Sequence, residues 1–266
     1  MKKTLKLVLT LVLALSFLTA CSKDSADDKT IKIGATPDPH LKILELIKDD
    51  LAAEGITLEI KEFTDYIAPN VALAQKDLDA NFFQHKPYLD DKVAQEGFEL
   101  VSIGTVHVEP MALYSETLKD ITDLQNGAEI SIPSDNVNGA RALLLLEANG
   151  LIEVDKEAGI NATERDITKN PKNLKFTALQ AELIPKAIAD VDAAVINGNY
   201  AIDAGLNPVR DGLIIEGQES PYANIVAVRK GQENDEKFKI LLKYLQSDKV
   251  KKFIEDNYDG GVVPAF

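Results

Sequence analysis

The 266-residue chain is acidic, because 43 Asp and Glu residues outnumber 29 Lys and Arg residues and give a formal charge of −14. Such a surface repels phosphate backbones and anionic lipids, which argues against a nucleic-acid-binding protein. The length exceeds that of the smallest single-core domains and is sufficient for two lobes of ordinary size.

The N-terminus has the order of a secretory signal. Three lysines precede an apolar run at residues 7–18, about 12 residues against the roughly 20 that span a bilayer as a helix. The four residues that end at Cys21, the single cysteine, resemble a bacterial lipobox. We expect residues 1–20 to be a signal peptide and Cys21 to carry lipid, including palmitate, that anchors the protein on the extracytoplasmic face of the cell membrane. Cleavage by an ordinary signal peptidase, which would leave a free thiol, is the alternative.

Residues 21–29 are polar and predict a flexible tether, after which strands and helices alternate. Alternation of apolar and polar residues predicts strands, and apolar residues at i, i+3 and i+4 predict helices. The first half has predicted strands at 31–35, 56–63, 79–83 and 98–108, and predicted helices at 41–51, 69–78 and 88–97. The second half has predicted strands at 128–133, 192–196 and 225–228, a polar turn at 134–138, helices at 140–149 and 199–204, and one amphipathic helix at 238–254.

This order predicts an α/β fold of two lobes with a ligand cleft between them. Strands that alternate with helices indicate mostly parallel sheets, whose ligand crevices lie beyond the carboxyl ends of the strands. We place residues 30–109 and 224–266 in lobe I and residues 110–223 in lobe II, with crossings near Pro110 and Pro221.

Several stretches of the chain resemble a known family. They include DANFFQHKPYL at 79–89, EPMALYS at 109–115 and VINGNYA at 195–201, together with residues 39–40, 65–70, 132–133, 138–143, 166–167, 170–172, 192–194 and 220–224. In this order they resemble the NlpA-type methionine-binding lipoproteins of bacterial ABC importers. The resemblance covers residue 31 to the C-terminus. It implies a two-lobed, periplasmic-binding-protein-like fold that captures L- or D-methionine, or a methionine dipeptide, and delivers it to a membrane permease with its ATPase.

A free amino acid needs a cation for its carboxylate and acceptors for its ammonium group. Arg141 lies near the start of a predicted helix, where a guanidinium and free backbone N–H groups suit a carboxylate, although a salt bridge to a local acid is the alternative. Asn197, Asn199 and Asn224 follow or begin predicted strands and could accept from the ammonium or serve as cap or turn residues. The resemblance favours the ligand role for these asparagines, and Tyr222 completes the candidates on the second lobe.

Aromatic residues are the candidates for the apolar end of the pocket. A thioether contacts ring edges favourably, so Tyr66, Phe83 and Tyr88 would suit a methionine side chain, with ordinary core packing as the alternative. Phe82 and Phe83 point to opposite faces of a strand, and the resemblance selects Phe83. His85 lies on the same side as Phe83, and we expect it to contact the ligand.

Rival functions have weaker support in the sequence. A metal-binding importer lipoprotein would use histidines and carboxylates, but His40, His85 and His107 form no close pair in the sequence, which leaves only convergence in space. An enzyme is disfavoured because no nucleophile elbow or phosphate-cradling glycine loop occurs, and no cofactor is expected. A surface adhesin or structural lipoprotein would show no small-molecule ligand.

Overall fold

The computed structural model describes residues 29–217 and 220–266. The predicted signal peptide at 1–20, the lipidation site Cys21 and the tether up to residue 28 lie outside the described residues. Residues 31–266 form one compact unit. In the part of the chain that is described, no helix has the length and apolar character needed to cross a membrane.

Thirteen strands build the sheets of the described chain. They are β1 (Thr30–Ala35), β2 (Thr57–Glu62), β3 (Ala80–His85), β4 (Leu100–Val108), β5 (Ala112–Tyr114), β6 (Glu129–Pro133), β7 (Glu153–Val154), β8 (Ile167–Lys169), β9 (Lys175–Leu179), β10 (Ala193–Ile196), β11 (Ile214–Ile215), β12 (Ala223–Arg229) and β13 (Val263–Pro264). One sheet has the order β13-β4-β12-β3-β1-β2, a second has the order β11-β5-β10-β6-β9, and β7 pairs with β8.

Helices connect the strands and cover the sheets. The α-helices are α1 (Lys42–Ala53), α2 (Ala68–Ala74), α3 (Lys86–Glu96), α4 (Asn136–Ala148), α5 (Ile184–Ala187), α6 (Gly198–Asp203), α7 (Pro208–Asp211), α8 (Glu236–Leu245) and α9 (Asp248–Asn257). A wide helical turn spans Pro37–Leu41, and short 3-10 turns span Ile121–Asp123, Gly159–Asn161, Glu164–Asp166, Ala181–Leu183 and Ile188–Asp190.

The sheets are mixed, so the parallel arrangement that the sequence predicts applies to part of each sheet. In the first sheet β1 and β3 are parallel, but β12 runs antiparallel to both β3 and β4. In the second sheet β10 and β9 run parallel to β6, whereas β5 runs antiparallel to β10. The reversal arises because the chain leaves the first sheet after β4 and returns only as β12, which enters from the opposite end.

Each sheet has its own hydrophobic core. On the first sheet, Ile43, Ile47 and Leu51 of α1 pack with Phe238 and Leu241 of α8, and all five are buried. Their spacing of three to four residues keeps them on one helix face. Burial of each such side chain contributes about 1.5–3 kcal/mol, so these contacts hold the two helices in the core of the first sheet.

Two helix predictions need correction. The predicted turn at 134–138 is wrong after residue 135, because α4 begins at Asn136 and the side chain of Asp135 accepts the backbone N–H of Asn138 as its N-cap. The single helix predicted at 238–254 is two helices, α8 and α9, separated at Gln246 and Ser247. The hydroxyl of Ser247 caps α9 by accepting the backbone N–H of Val250.

Candidate functional site

A pocket lies where the two sheets face each other, with about 310 Å³ of space between the lining atoms, part of it open to solvent. The first-sheet strands, α3 and the segment before α2 supply one wall, and α4 with the turn after β10 supplies the opposite wall. The lining residues are Tyr66, Phe83, Gln84, His85, Tyr88, Glu109, Asn138, Arg141, Asn197, Gly198 and Asn224.

Strand register brings distant residues of the pocket wall together. Asn224 at the start of β12 pairs with His85 at the end of β3 and with His107 near the end of β4. The antiparallel direction of β12 therefore places its first residues beside the last residues of its two neighbours. All three side chains are buried.

His85 connects the two walls in its neutral form. Its Nδ1 accepts the backbone N–H of Tyr88 at 3.2 Å and so caps α3, which leaves Nε2 to donate to Oδ1 of Asn138 at 3.1 Å. Burial, and next the positive charge of Arg141, lower the pKa of His85 to about 3. His85 is therefore a neutral donor across the cleft.

Asn138 and Asn197 form a polar pair on the second wall. The side-chain amide of Asn138 donates to Asp135, and its Oδ1 accepts from Nδ2 of Asn197 at 2.9 Å as well as from His85. Oδ1 of Asn197 is buried and has no hydrogen-bond partner among the described residues. A buried acceptor without a donor is costly, so this oxygen is suited to an incoming N–H group.

Aromatic rings cluster at the other end of the pocket. The ring centroid of Tyr66 lies 5.9 Å from those of both Phe83 and Tyr88, and 4.8 Å from that of Tyr200. The hydroxyl of Tyr66 donates to Oδ1 of Asn199 across the cleft. Phe82 points the other way, into the core of the first sheet, where it is 0% exposed.

Arg141 lies at the polar end of the pocket and is fixed there by hydrogen bonds and by ring stacking. It lies in the second turn of α4, one turn further along than the sequence predicted, so free backbone N–H groups of the first turn do not surround it. Its Nε donates to Glu216 at 2.8 Å, and one Nη donates to the same carboxylate and to the carbonyl of Glu109 at 2.9 Å. The guanidinium also stacks over the Tyr222 ring at 4.3 Å. Arg141 thus forms a salt bridge and also lines the pocket, but its partner lies 75 residues away and is not the local acid considered as the alternative.

Glu109 brings a buried carboxylate into the pocket. It follows β4 directly, in the first chain crossing, and its Oε2 accepts the backbone N–H of Asn199 at 3.0 Å. Its Oε1 lies 2.7 Å from Nε2 of His107 and 3.3 Å from Nε2 of His40. Burial raises the pKa of Glu109, against the lowering effect of His40. The ligand-capable atoms of these three residues lie within 4.8 Å of one another, so two of the histidines converge in space although the sequence keeps them apart.

Gly198 allows the close approach of the two walls at Glu109. A Cβ atom at Gly198 would lie 2.5 Å from Cβ of Glu109, which is closer than two carbon atoms can pack. Any larger residue would therefore displace the turn that carries Asn197 and Asn199.

Seven of the nine predicted ligand residues line the pocket. The other two, Asn199 and Tyr222, contact lining residues, namely Tyr66 and Arg141. Four further lining residues were not predicted from the sequence: Gln84, Glu109, Asn138 and Gly198. The sequence does hold a signal for Glu109, because this carboxylate directly follows the strand predicted at 98–108 and precedes the chain crossing predicted near Pro110.

Comparison with known proteins identifies the family. The NlpA lipoprotein family model matches residues 31–266. The chain belongs to the NlpA lipoprotein family. This confirms the resemblance seen in the sequence. The chain is 43% identical over 272 residues to the methionine-binding lipoprotein MetQ of Bacillus subtilis, with 99% of each chain covered. It is 41% identical over 249 residues to the membrane lipoprotein TpN32 of Treponema pallidum, covering 93% of this chain and 92% of that relative.

Solved structures of similar proteins have the same fold. A nutrient binding protein from Burkholderia cenocepacia bound to methionine matches with a TM-score of 0.86 at 43% identity, covering 89% of this chain and 100% of that chain. The methionine binding protein MetQ matches with a TM-score of 0.87 at 37% identity, covering 90% of this chain and 99% of that chain. These similarities confirm the α/β, two-lobed binding-protein fold predicted for this NlpA family member. Three of these four proteins are named for binding, and none is named for catalysis.

Proposed function

We propose that this protein is the substrate-binding lipoprotein of an ABC importer, which captures methionine and passes it to a membrane permease with its ATPase. We further propose that residues 30–109 and 224–266 form lobe I and that residues 110–223 form lobe II. We also propose that Cys21 carries a lipid anchor on the extracytoplasmic face of the membrane and that the protein has no catalytic activity. The observation that carries the proposal is the pocket itself. It has a guanidinium and a carboxylate at one end and aromatic rings at the other.

The polar groups match the two charges of a free amino acid. We infer that Arg141 binds the ligand carboxylate. A guanidinium has five N–H donors, and the bonds to Glu216 and to the Glu109 carbonyl use only Nε and one Nη, which leaves the other Nη for the ligand. The ligand ammonium would then lie between Glu109 and the unpartnered Oδ1 of Asn197. Asn224 at the return crossing and His85 complete the polar end.

The aromatic end suits a long apolar side chain with a sulfur atom. Tyr66, Phe83 and Tyr88 present rings at 5.9–6.2 Å from one another. Sulfur gains about 0.3–1.5 kcal/mol from each ring contact, so methionine should exceed its methylene analogue norleucine in affinity by about 2- to 12-fold per contact.

Capture would proceed by closure of the lobes. Hydrogen bonds cross the cleft from Tyr66 to Asn199, from His85 to Asn138, and from Tyr200 to the carbonyl of Thr64 at 3.1 Å. A ligand that contacts both walls stabilises the closed state by its differential affinity for that state. The closed form would dock on the permease.

Calorimetry on unfolded, dialysed and refolded protein tests the proposal. The titrants are L- and D-methionine, norleucine, leucine, methionine dipeptides, zinc and manganese. We expect saturable heat with a form of methionine, weaker heat with norleucine and none with metals. Heat with a metal alone, or with none of the amino acids and peptides, would refute the proposal.

A further inference from the structure

Two buried histidines, His40 and His107, lie behind the pocket wall and both reach Glu109. Nε2 of His107 is 2.7 Å and Nε2 of His40 is 3.3 Å from Oε1 of Glu109, whose side chain is 7% exposed. The backbone N–H of Asn199 donates to the other carboxylate oxygen at 3.0 Å. Three nitrogen atoms therefore surround one buried carboxyl group.

The hydrogen-bond partners fix the proton on His40. Its Nε2 also lies 3.2 Å from Oδ1 of Asn224, and a side-chain amide oxygen can only accept. Nε2 therefore carries the hydrogen, and Nδ1 accepts from the hydroxyl of Thr36 at 2.8 Å. Nδ1 of His107 has no partner among the described residues, so we assign the ring hydrogen to Nε2, which then donates to Oε1 of Glu109. With the backbone N–H of Asn199 on Oε2, Glu109 then accepts an N–H on each of its oxygens, which is the pattern of an ionised carboxylate.

Packing prevents the two imidazoles from turning away. Both rings are 0% exposed, their centroids are 4.9 Å apart, and both meet Phe82 edge-on at 4.7 and 5.4 Å. Burial lowers the pKa of His40 to about 4 and that of His107 to about 3, so both rings are neutral near pH 7. Burial and the nearby Asp38 raise the pKa of Glu109, whereas His40, the backbone N–H of Asn199 and the guanidinium of Arg141 lower it. The carboxylate thus has hydrogen-bond donors behind it and one cation nearby.

We propose that His40 and His107 are positioning residues, which hold Glu109 ionised and directed at the pocket so that the site selects ligands with a protonated amino group. This inference rests on the proposed function. A metal could use the same three side chains, but a metal-ligating histidine normally donates its second ring N–H, and Nδ1 of His107 has no partner among the described residues.

The test compares His107→Leu, which removes the donor, with His107→Gln, whose side-chain amide can donate from a position near Nε2. Calorimetry uses methionine and its 2-hydroxy analogue, in which a hydroxyl replaces the ammonium. We expect His107→Leu to weaken methionine binding by about tenfold or more and to change binding of the hydroxy analogue by less than about threefold. We expect His107→Gln to bind methionine almost as tightly as the wild type. Thermal melts of all variants check folding.

The pH dependence separates positioning from mere structural support. Without its donor, Glu109 should protonate more readily, so methionine binding by His107→Leu should strengthen from about pH 6 to pH 8 while that of the wild type stays flat. Equal losses for both ligands with a flat pH profile would overturn the inference. So would stoichiometric zinc binding by the chelator-treated wild type that His107→Leu abolishes.

A measurement without ligand keeps the inference separate from the proposed function. Carbon-13 NMR of the free protein with labelled glutamate side chains, assigned with Glu109→Gln, reports whether Glu109 is ionised. We expect an ionised resonance throughout about pH 6–8 in the wild type and a titration in that range in His107→Leu. A protonated Glu109 in the wild type at pH 7 would overturn the inference, whereas absence of any methionine heat would overturn the proposed function alone.

Discussion

Replacement of Arg141 by alanine should nearly abolish ligand binding. The variant loses the guanidinium that stacks on Tyr222 at 4.3 Å and bonds to Glu216 and to the carbonyl of Glu109. Truncation of one partner of a buried, hydrogen-bonded charge pair costs about 2–5 kcal/mol, which corresponds to a loss of affinity of about 30-fold to a few thousand-fold. Calorimetry with methionine at pH 7 measures this loss.

Matched variants show whether the loss comes from the site or from the fold. Arg210→Ala removes an arginine that is 66% exposed and paired with Asp211, so it should leave affinity and stability almost unchanged. Arg141→Ala leaves Glu216, whose side chain is 15% exposed, without its cation, and should lower the free energy of unfolding by about 1–3 kcal/mol. Arg141→Ala/Glu216→Gln should recover part of this stability but not the affinity. Undiminished methionine affinity in Arg141→Ala would refute the assigned role.

Two further outcomes follow from the same geometry. Phe83→Ala should weaken methionine binding by about 1–3 kcal/mol, whereas Phe82→Ala, which empties the core, should lower the free energy of unfolding by about 3–5 kcal/mol; calorimetry and urea unfolding that gave the reverse order would contradict this. The folded pKa of His85 is about 3, below the ordinary value of 6.5, so the unfolded chain takes up the proton first. The contribution of His85 to the free energy of unfolding is therefore complete above about pH 6.5 and is lost as the pH falls toward 3. If the free energy of unfolding in urea depended on pH equally in His85→Gln and in the wild type, this contribution would be excluded.

Local patterns predicted most elements and residues on both walls of the pocket. The alternation around Phe82 and Phe83 gives a strand with one ring on each side, and the structure places Phe83 in the pocket and Phe82 in the core. The start of α4 was missed although Asp135 is a preferred N-cap residue, because the polar run after it also reads as a turn.

Partners far apart in the chain could not be predicted. Arg141 and Glu216 are separated by 75 residues, Glu109 and Asn199 by 90, and His40 and Asn224 by 184. Each pair depends on which strands become neighbours, and no local periodicity encodes the antiparallel insertion of β12. The sequence therefore supplied the residue types of the site but not the network that fixes their protonation.

The position of β12 also imposes an order on folding. Every strand of the second sheet comes from the continuous stretch 112–215, whereas β3 and β4 have no common edge until residues 223–229 fit between them. Long-range pairings form slowly, so the second sheet should form first while the first remains split. A chain stopped before residue 223 would leave the facing edges of β3 and β4 open, with unpaired backbone groups of the kind that recruit other chains into aggregates.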